Sequence, residues 1–390
     1  MLSDASAVTV RATLPAVGAA LPRITERFYE RLFGAHPELL RDLFNRGNQA
    51  DGAQRQALAG SIAAFATALV EHPQVRPDAM LARIAHKHAS LGVTAGQYRV
   101  VHTHLFAAIA EVLGSAVTPE VAAAWDEVYW LMANALIAVE TRLYAERGVL
   151  LGDTWRPWEV LERIAETDDV VSFRLRPADG REAPVCAPGQ YVSVRVALAD
   201  GARQIRQYSL SGAPADPTRF ITVKRVNEVS GHLHDHVRVG DRIELSAPYG
   251  DLVLSDTGAP LLLASAGIGC TPMLSMLHHL ADSRYEAPVT VVHGDRFPQA
   301  HALRGDHRTL AGKLPNGTVH FWYEQDPEEG DRLGTVDLAQ LPPLPAGVQA
   351  YLCGPLPFMR AVRTQLLERG VPASAVHYEV FGPDLWLAES

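Results

Sequence analysis

Up to about Tyr144, apolar residues recur at three- and four-residue steps, the period of a buried helix face. Leu14, Val17, Leu21, Ile24, Phe28 and Leu32 form one stripe, and Met80, Ile84, His88 and Leu91 a second. Tyr98, Val101, Leu105 and Ile109 form a third, opened by Thr94 as an N-cap, and Val128, Met132, Leu136, Val139 and Leu143 a fourth. Pro37, Pro73 and Pro119 punctuate these segments. The pattern predicts an all-α domain over residues 1–147. Glu146 to Trp158, with two glycines and a proline, reads as a linker.

The period then changes. Val170–Leu175, Gln190–Val196, Phe220–Val226 and Ile243–Leu245 read as short strands separated by Gly and Pro, which predicts a small antiparallel β-barrel over 148–258. From about Pro260, apolar strands at Leu261–Ala264, Val289–His293, Val319–Tyr323 and Gln349–Leu352 alternate with helical stretches at Thr271–Ala281 and Phe358–Arg369. That alternation predicts an α/β domain with a parallel sheet over 259–390. The expected fold is therefore multidomain, without internal repeats.

Bulk properties narrow the function. A chain of 390 residues is too long for one ordinary core. Its 47% hydrophobic and 20% charged content is that of a globular protein. The net charge of −9, without a Lys/Arg run, argues against a nucleic-acid partner. The start lacks a basic segment followed by an apolar one, and no apolar stretch is long enough to span a bilayer, so a cytoplasmic protein without integral membrane association is expected. Cys186, Cys270 and Cys353 have neither disulfide-framework nor zinc nor iron–sulfur spacing.

Candidate chemistry lies in both halves. On a helical wheel His88 shares a face with Met80, Ile84 and Leu91, while His86 points about 200° away. A histidine on an apolar face can ligate a metal or heme through a neutral nitrogen. Tyr98 begins the next stripe and Glu140 stands between Leu136 and Leu143, so packed helices can bring both around His88 as partners of its other nitrogen. In Arg206-Gln207-Tyr208-Ser209, strand alternation puts Arg206 and Tyr208 on one face and Ser209 on the other. The arginine can fork onto phosphate, the tyrosine stack on a flavin and the serine hydrogen-bond its edge. Ala266-Gly267-Ile268-Gly269-Cys270-Thr271-Pro272 follows an apolar strand and opens a helix, an arrangement that lets backbone approach phosphate. It is not the Gly-x-Gly-x-x-Gly fingerprint. Cys353-Gly354-Pro355 ends another strand, where ligand crevices form in such sheets.

Taken together, Arg27-Phe-Tyr-Glu-Arg-Leu-Phe33, Leu43-Phe-Asn45, Gln54-Arg-Gln-Ala-Leu58, Ile84-Ala-His-Lys-His88 and Gln97-Tyr98 resemble the globin domain of flavohemoglobins. The resemblance implies that heme b is held by His88 as the proximal ligand. It implies that Tyr98 and Glu140 form a network behind His88. It implies further that Tyr29 is the distal donor to O2, with Gln54 beside it. Phe44 and Leu58 would wall the pocket, and Lys87 would modulate heme potential. Arg206–Ser209 and Pro188-Gly-Gln-Tyr191 are similar to the ferredoxin–NADP reductase-like superfamily, which implies FAD against Tyr191, Arg206, Gln207, Tyr208 and Ser209. Lys224-Arg225 and Val229-Ser230 fall where relatives approach the FAD phosphates, although Asn227 and Glu228 replace the usual glycine. The Gly-x-Gly-x-Thr-Pro turn and Cys353-Gly-Pro355 imply NADH or NADPH. In His377-Tyr-Glu-Val-Phe-Gly-Pro383, Phe381 would lie on the flavin, Glu379 would tune electron flow, and Val380, Gly382 and Pro383 would complete that wall.

The resemblance implies a monomeric nitric oxide dioxygenase. NAD(P)H gives a hydride to FAD, the flavin passes single electrons to heme, and NO and O2 leave as nitrate. Two alternatives stand beside it: an oxygen-binding or sensing globin, and a heme–flavin hydroperoxide reductase. A ferredoxin-linked oxygenase reductase is disfavoured by the lack of iron–sulfur cysteines. Asp295 and Arg296, after the second α/β strand, point to opposite coenzymes, an acid for a ribose hydroxyl and an arginine for a phosphate.

Overall fold

A computed structural model describes residues 2–50, 52–75, 77–149, 153–255 and 257–382. The chain forms two compact units. The first holds the chain up to Thr154 together with Ala197–Ile205, and the second holds Trp155–Val196 and Arg206–Phe381.

The first unit is helical: α1 (Asp4–Ala35), α2 (Pro37–Asp42), α3 (Arg46–Ala50), α4 (Ala53–Glu71), α5 (Asp78–Leu91), α6 (Ala95–Leu113) and α7 (Pro119–Glu146). Local chemistry starts these helices where the sequence expects. Thr94 and Gln97 form a capping box for α6, and Thr118 accepts from Val121 N ahead of Pro119 in α7. α1 runs through both Pro15 and Pro22. An internal proline costs about 3 kcal/mol. Val10, Val17, Leu21, Ile24, Phe28 and Leu32, all buried on one face, each return roughly 1.5–3 kcal/mol, so packing outweighs the breaks.

Two sheets follow, lying in the second unit except that the first of them shares Ala197 and Arg203–Ile205 with the first unit. The first is antiparallel: β1 (Arg156–Thr167), β2 (Val170–Pro177), β3 (Tyr191–Ala197), β4 (Arg203–Ser209), β5 (Arg219–Lys224) and, after helix α8 (Glu228–His236), β6 (Arg242–Leu245). Its order is β4-β3-β6-β1-β2-β5. The expected antiparallel barrel is a six-stranded sheet that no described strand pair closes, curled until Leu210, just past β4, bridges Ile221 on β5. β1 already begins at Arg156, inside the stretch read as linker, and α8 interrupts what reads as strands and turns alone. α8 exists because Asn227 accepts from Val229 N and Ser230 N, and because Val229 and Leu233 are fully buried.

The second sheet is parallel: β7 (Leu261–Ala266), α9 (Cys270–Asp282), β8 (Val289–Asp295), α10 (Arg304–Gly312), β9 (Gly317–Tyr323), β10 (Arg332–Leu333), β11 (Gln349–Cys353), α11 (Leu356–Glu368) and β12 (Val376–Glu379). The order β10-β9-β8-β7-β11-β12 reverses between β7 and β11, so the ligand crevice of this architecture lies at the carboxyl ends of those two strands. Leu262, Leu263, Ala264, Ala350, Tyr351 and Leu352 are fully buried, as expected for strands covered on both faces. No described helix is long and apolar enough to cross a membrane.

Three histidines are buried together beside β8. One ring nitrogen each of His293, His301 and His307 lies within 4.8 Å of the others. They do not suit a shared ion. A ligating imidazole keeps the ion in its ring plane, yet the His293 and His301 rings stack 3.7 Å apart with planes only 16° from parallel. They are instead linked by hydrogen bonds: His293 Nδ1 to Ser265 Oγ (2.8 Å), His301 Nδ1 to Tyr323 Oη (2.8 Å) and His301 Nε2 to His307 Nδ1 (2.9 Å). Burial lowers all three pKa values, with His293 and His307 and then Arg304 and Arg308 adding to the effect at His301, and His293 at His307, while Asp295 partly opposes it at His293. The folded state therefore binds fewer protons than the unfolded one, and stability falls as pH drops below the ordinary imidazole value of about 6.5. The limit is about 1.4 kcal/mol per pH unit for each histidine. Thermal unfolding between pH 7.5 and 5.5 should show this loss, and His307→Leu should lower its slope; a flat profile removes the argument.

Candidate functional site

In the helical unit, α5 carries His88 in its last turn, α6 carries Tyr98 in its first turn and α7 brings Glu140 inward. Glu140 is only 3% exposed, so its carboxylate needs donors. Tyr98 Oη donates to Glu140 Oε1 at 2.5 Å. His88 Nδ1 lies 2.9 Å from both Glu140 Oε1 and Tyr98 Oη. Tyr98 spends its one proton on the carboxylate, so His88 donates from Nδ1, and Nε2 is left with a lone pair that could ligate a metal. Burial first, then the Glu140 charge, raises the Tyr98 pKa, which keeps the phenol protonated as a donor. Tyr129 Oη and Tyr144 Oη brace the network on Tyr98 O (2.6 Å) and Val93 O (2.8 Å).

Tyr29, on α1, is buried among Phe28, Phe33 and Phe44. Burial raises its pKa, and the side chains of Gln54, on α4, and Gln49, on α3, beside the hydroxyl oppose that rise. Gln54 is half-buried on α4, and Gln49 is an addition to the residues read from the sequence: α3 is only five residues long and leaves no periodicity to read. The Gln49 Nε2 is shielded from solvent without a hydrogen-bond partner, a donor suited to a further ligand. Leu58 and Lys87 are half-buried on α4 and α5.

In the second unit, Arg206-Gln-Tyr-Ser209 forms the last four residues of β4. Arg206 is buried and pairs with Glu228 at 3.2 Å. Gln207 Nε2 donates to Ser193 Oγ. The Tyr208 and Ser209 hydroxyls are both shielded from water with no hydrogen-bond partner, at a cost of about 1–3 kcal/mol each unless a ligand meets them. A flavin edge supplies such partners, so these residues fit FAD. Tyr191 is buried and bridges Tyr249 through paired backbone bonds. Val229 and Ser230 are buried, and their N–H groups donate to Asn227 Oδ1. Glu379 ends β12 opposite Cys353, Val380 is half-buried, and Phe381 (47% exposed) and Gly382 are exposed. Pro383 lies outside the described residues.

At the switch point the two glycine turns meet. Gly267–Gly269 form one 3-10 turn before α9, with Thr271 Oγ1 donating to Ile268 O. Gly269 packs against the Cys353–Gly354 peptide so closely that a Cβ would lie 2.5 Å from Cys353 C and 2.7 Å from Gly354 N. Pro355 then precedes α11. Pro272 is buried in α9 and Cys270 is a filler there, its thiol donating to Ala302 O and its pKa raised by burial. Asp295 turns inward: its side chain is 7% exposed and 3.6 Å from His293 Nε2, while Arg296 is exposed with its guanidinium over Phe297.

Known proteins match this arrangement in parts and as a whole. Residues 26–136 match the globin family model and residues 263–364 the oxidoreductase NAD-binding domain model. The flavohemoprotein of Bordetella parapertussis is 42% identical, over 98% of this chain and 99% of its own length. That of Bacillus subtilis is 36% identical over the full length of both. The crystal structure of a Malassezia yamatoensis flavohemoglobin with bound FAD and heme superposes with a TM-score of 0.91 at 38% identity, covering 98% of this chain and all of the other. The FAD/NAD-binding domain of a Vibrio cholerae nitric oxide dioxygenase matches 58% of this chain and 99% of its own, with a TM-score of 0.56 at 37% identity.

Proposed function

Because the chain belongs to the flavohemoprotein family, and is thus a heme- and flavin-dependent oxidoreductase, we propose that it is a nitric oxide dioxygenase that turns NO and O2 into nitrate at the expense of NAD(P)H. The observation that carries the reading is the buried Glu140–Tyr98–His88 network in a chain with its own nucleotide crevice. A carboxylate behind a proximal imidazole raises its donor strength, which suits O2 activation rather than storage. When bound, heme supplies the iron at which O2 and NO combine, and FAD splits a hydride into single electrons.

The chain's own residues do the rest. His88 Nε2 holds the iron, and Glu140 fixes the ring by keeping the proton on Nδ1. Tyr29 donates a hydrogen bond toward O2, with the Gln49 and Gln54 side chains beside its hydroxyl. Tyr208 and Ser209 receive the flavin edge, Arg206 pairs with its phosphate, and Gly267, Gly269 and Gly354 let the pyridine nucleotide approach backbone.

An NO electrode in aerated buffer tests this. With heme and flavin loaded, NO should disappear only when NADH or NADPH and O2 are present, with nitrate accumulating. NO that persists while the flavin bleaches rejects the activity. The same proximal network also favours O–O cleavage, so hydroperoxide reduction is the second reading, and hydroperoxide turnover exceeding that of NO would select it.

A further inference from the structure

α2 and α3 have six and five residues, and neither buries a side chain. Helices this short do not persist alone, and their terminal N–H and C=O groups need partners. Much of what meets them comes from one side chain, Gln204, which is 0% exposed and stands 158 residues beyond Arg46. Its Nε2 lies 3.3 Å from Leu40 O, 3.0 Å from Arg41 O and 3.2 Å from Phe44 O, so the amide protons are shared among three carbonyls at the end of α2. Its Oε1 accepts from Arg46 N at 3.3 Å, where α3 begins. Neighbours reinforce the grip: Arg203 N donates to Asp42 Oδ1 at 3.1 Å, and Arg46 pairs with Asp200 at 2.5 Å. All of these residues belong to the first compact unit.

The segment so held carries two parts of the Tyr29 environment. The Phe44 ring meets Tyr29 edge-on at 5.9 Å and Phe33 at 5.3 Å. α3 carries Gln49, whose side chain lies beside the Tyr29 hydroxyl. We infer that Gln204 is a positioning residue for the distal heme pocket: by capping α2 and α3 together it fixes Phe44 and Gln49, and through them the direction in which Tyr29 donates. Gln204 stands on β4. The inference rests on the reading of Tyr29 as the distal donor.

The test uses the full-length, heme- and flavin-loaded protein with carbon monoxide as probe, because the C–O stretch reports hydrogen bonding from the distal side. Gln204→Met keeps the length and removes every hydrogen bond, whereas Gln204→Lys keeps donors for the three carbonyls. The Met variant should move the stretch toward that of Tyr29→Phe and release O2 about five- to tenfold faster, the worth of one hydrogen bond. The Lys variant should stay near wild type, and flavin reduction by NADH should be unchanged in both. An unshifted Met variant overturns the inference, and so do equal shifts in Met and Lys, since the donated hydrogen bonds are then not what matters. If Tyr29→Phe itself leaves the stretch unmoved, the distal reading of Tyr29 has failed instead.

Discussion

Gly269→Ala is expected to abolish rapid reduction of the flavin by NADH or NADPH while leaving the heme spectrum intact. The added methyl group would collide with the Cys353 carbonyl oxygen and lie 2.5 Å from its carbon and 2.7 Å from Gly354 N. All three atoms are backbone at the end of β11, so no side chain can swing aside. The turn must spread from β11, at about 1–3 kcal/mol for overpacking. That displacement falls on the switch point, where by the proposed reading the nicotinamide would meet the flavin in a near-attack geometry, and an error of about 1 Å there costs on the order of 100-fold in rate. Gly267→Ala is the control. Gly267 has φ of +52°, but nothing stands within 4 Å of its would-be Cβ, so only about 1–2 kcal/mol of backbone strain is expected. Stopped-flow bleaching of the flavin reads both variants, and dithionite should still reduce each. Wild-type bleaching in Gly269→Ala would show that the turn does not form the crevice.

What could be read from the sequence follows from where periodicity is long. His88, Tyr98 and Glu140 lie on helices of 14, 19 and 28 residues, so their faces could be computed and their convergence expected. Glutamate on a helix is usually exposed, and only packing decides that Glu140 is buried. The two glycine turns were legible because each follows an apolar strand. Gln49 and α8 were not, because five and nine residues of polar sequence carry no clear period, and a cap from Asn227 rather than an apolar stripe starts α8. β1 hid because Gly and Pro at its start look like a linker. The clustering of Ala197–Ile205 with the helices depends on contacts about 160 residues apart in sequence, which no local pattern reports. The histidine trio depends likewise on a strand, a loop and a helix meeting.

Glu140→Gln should leave the fold and the heme in place and lower NO consumption about 10- to 100-fold, the usual cost of removing a partner behind a metal-bound imidazole. Glutamine is nearly isosteric, so Tyr98 and His88 keep a polar neighbour at the same place, but the acceptor loses its charge. A charge-assisted hydrogen bond is roughly twice as strong as a neutral one, so the Nδ1 proton is held less strongly by its acceptor and Nε2 donates less to iron. Three readouts should move together: the iron–histidine stretch falls, the heme potential rises, and the Tyr98 hydroxyl, relieved of the adjacent charge, titrates at lower pH than in the wild type. Flavin reduction by NADH should not change, because Glu140 belongs to the other compact unit. Tyr98→Phe separates the two partners. It removes the shared proton but leaves Glu140 on His88 Nδ1 at 2.9 Å, so its effect on the stretch should be the smaller. If Glu140→Gln slows NO consumption with the stretch and potential unmoved, the carboxylate acts by some route other than the imidazole, and the electron-donating role assigned to this network is wrong.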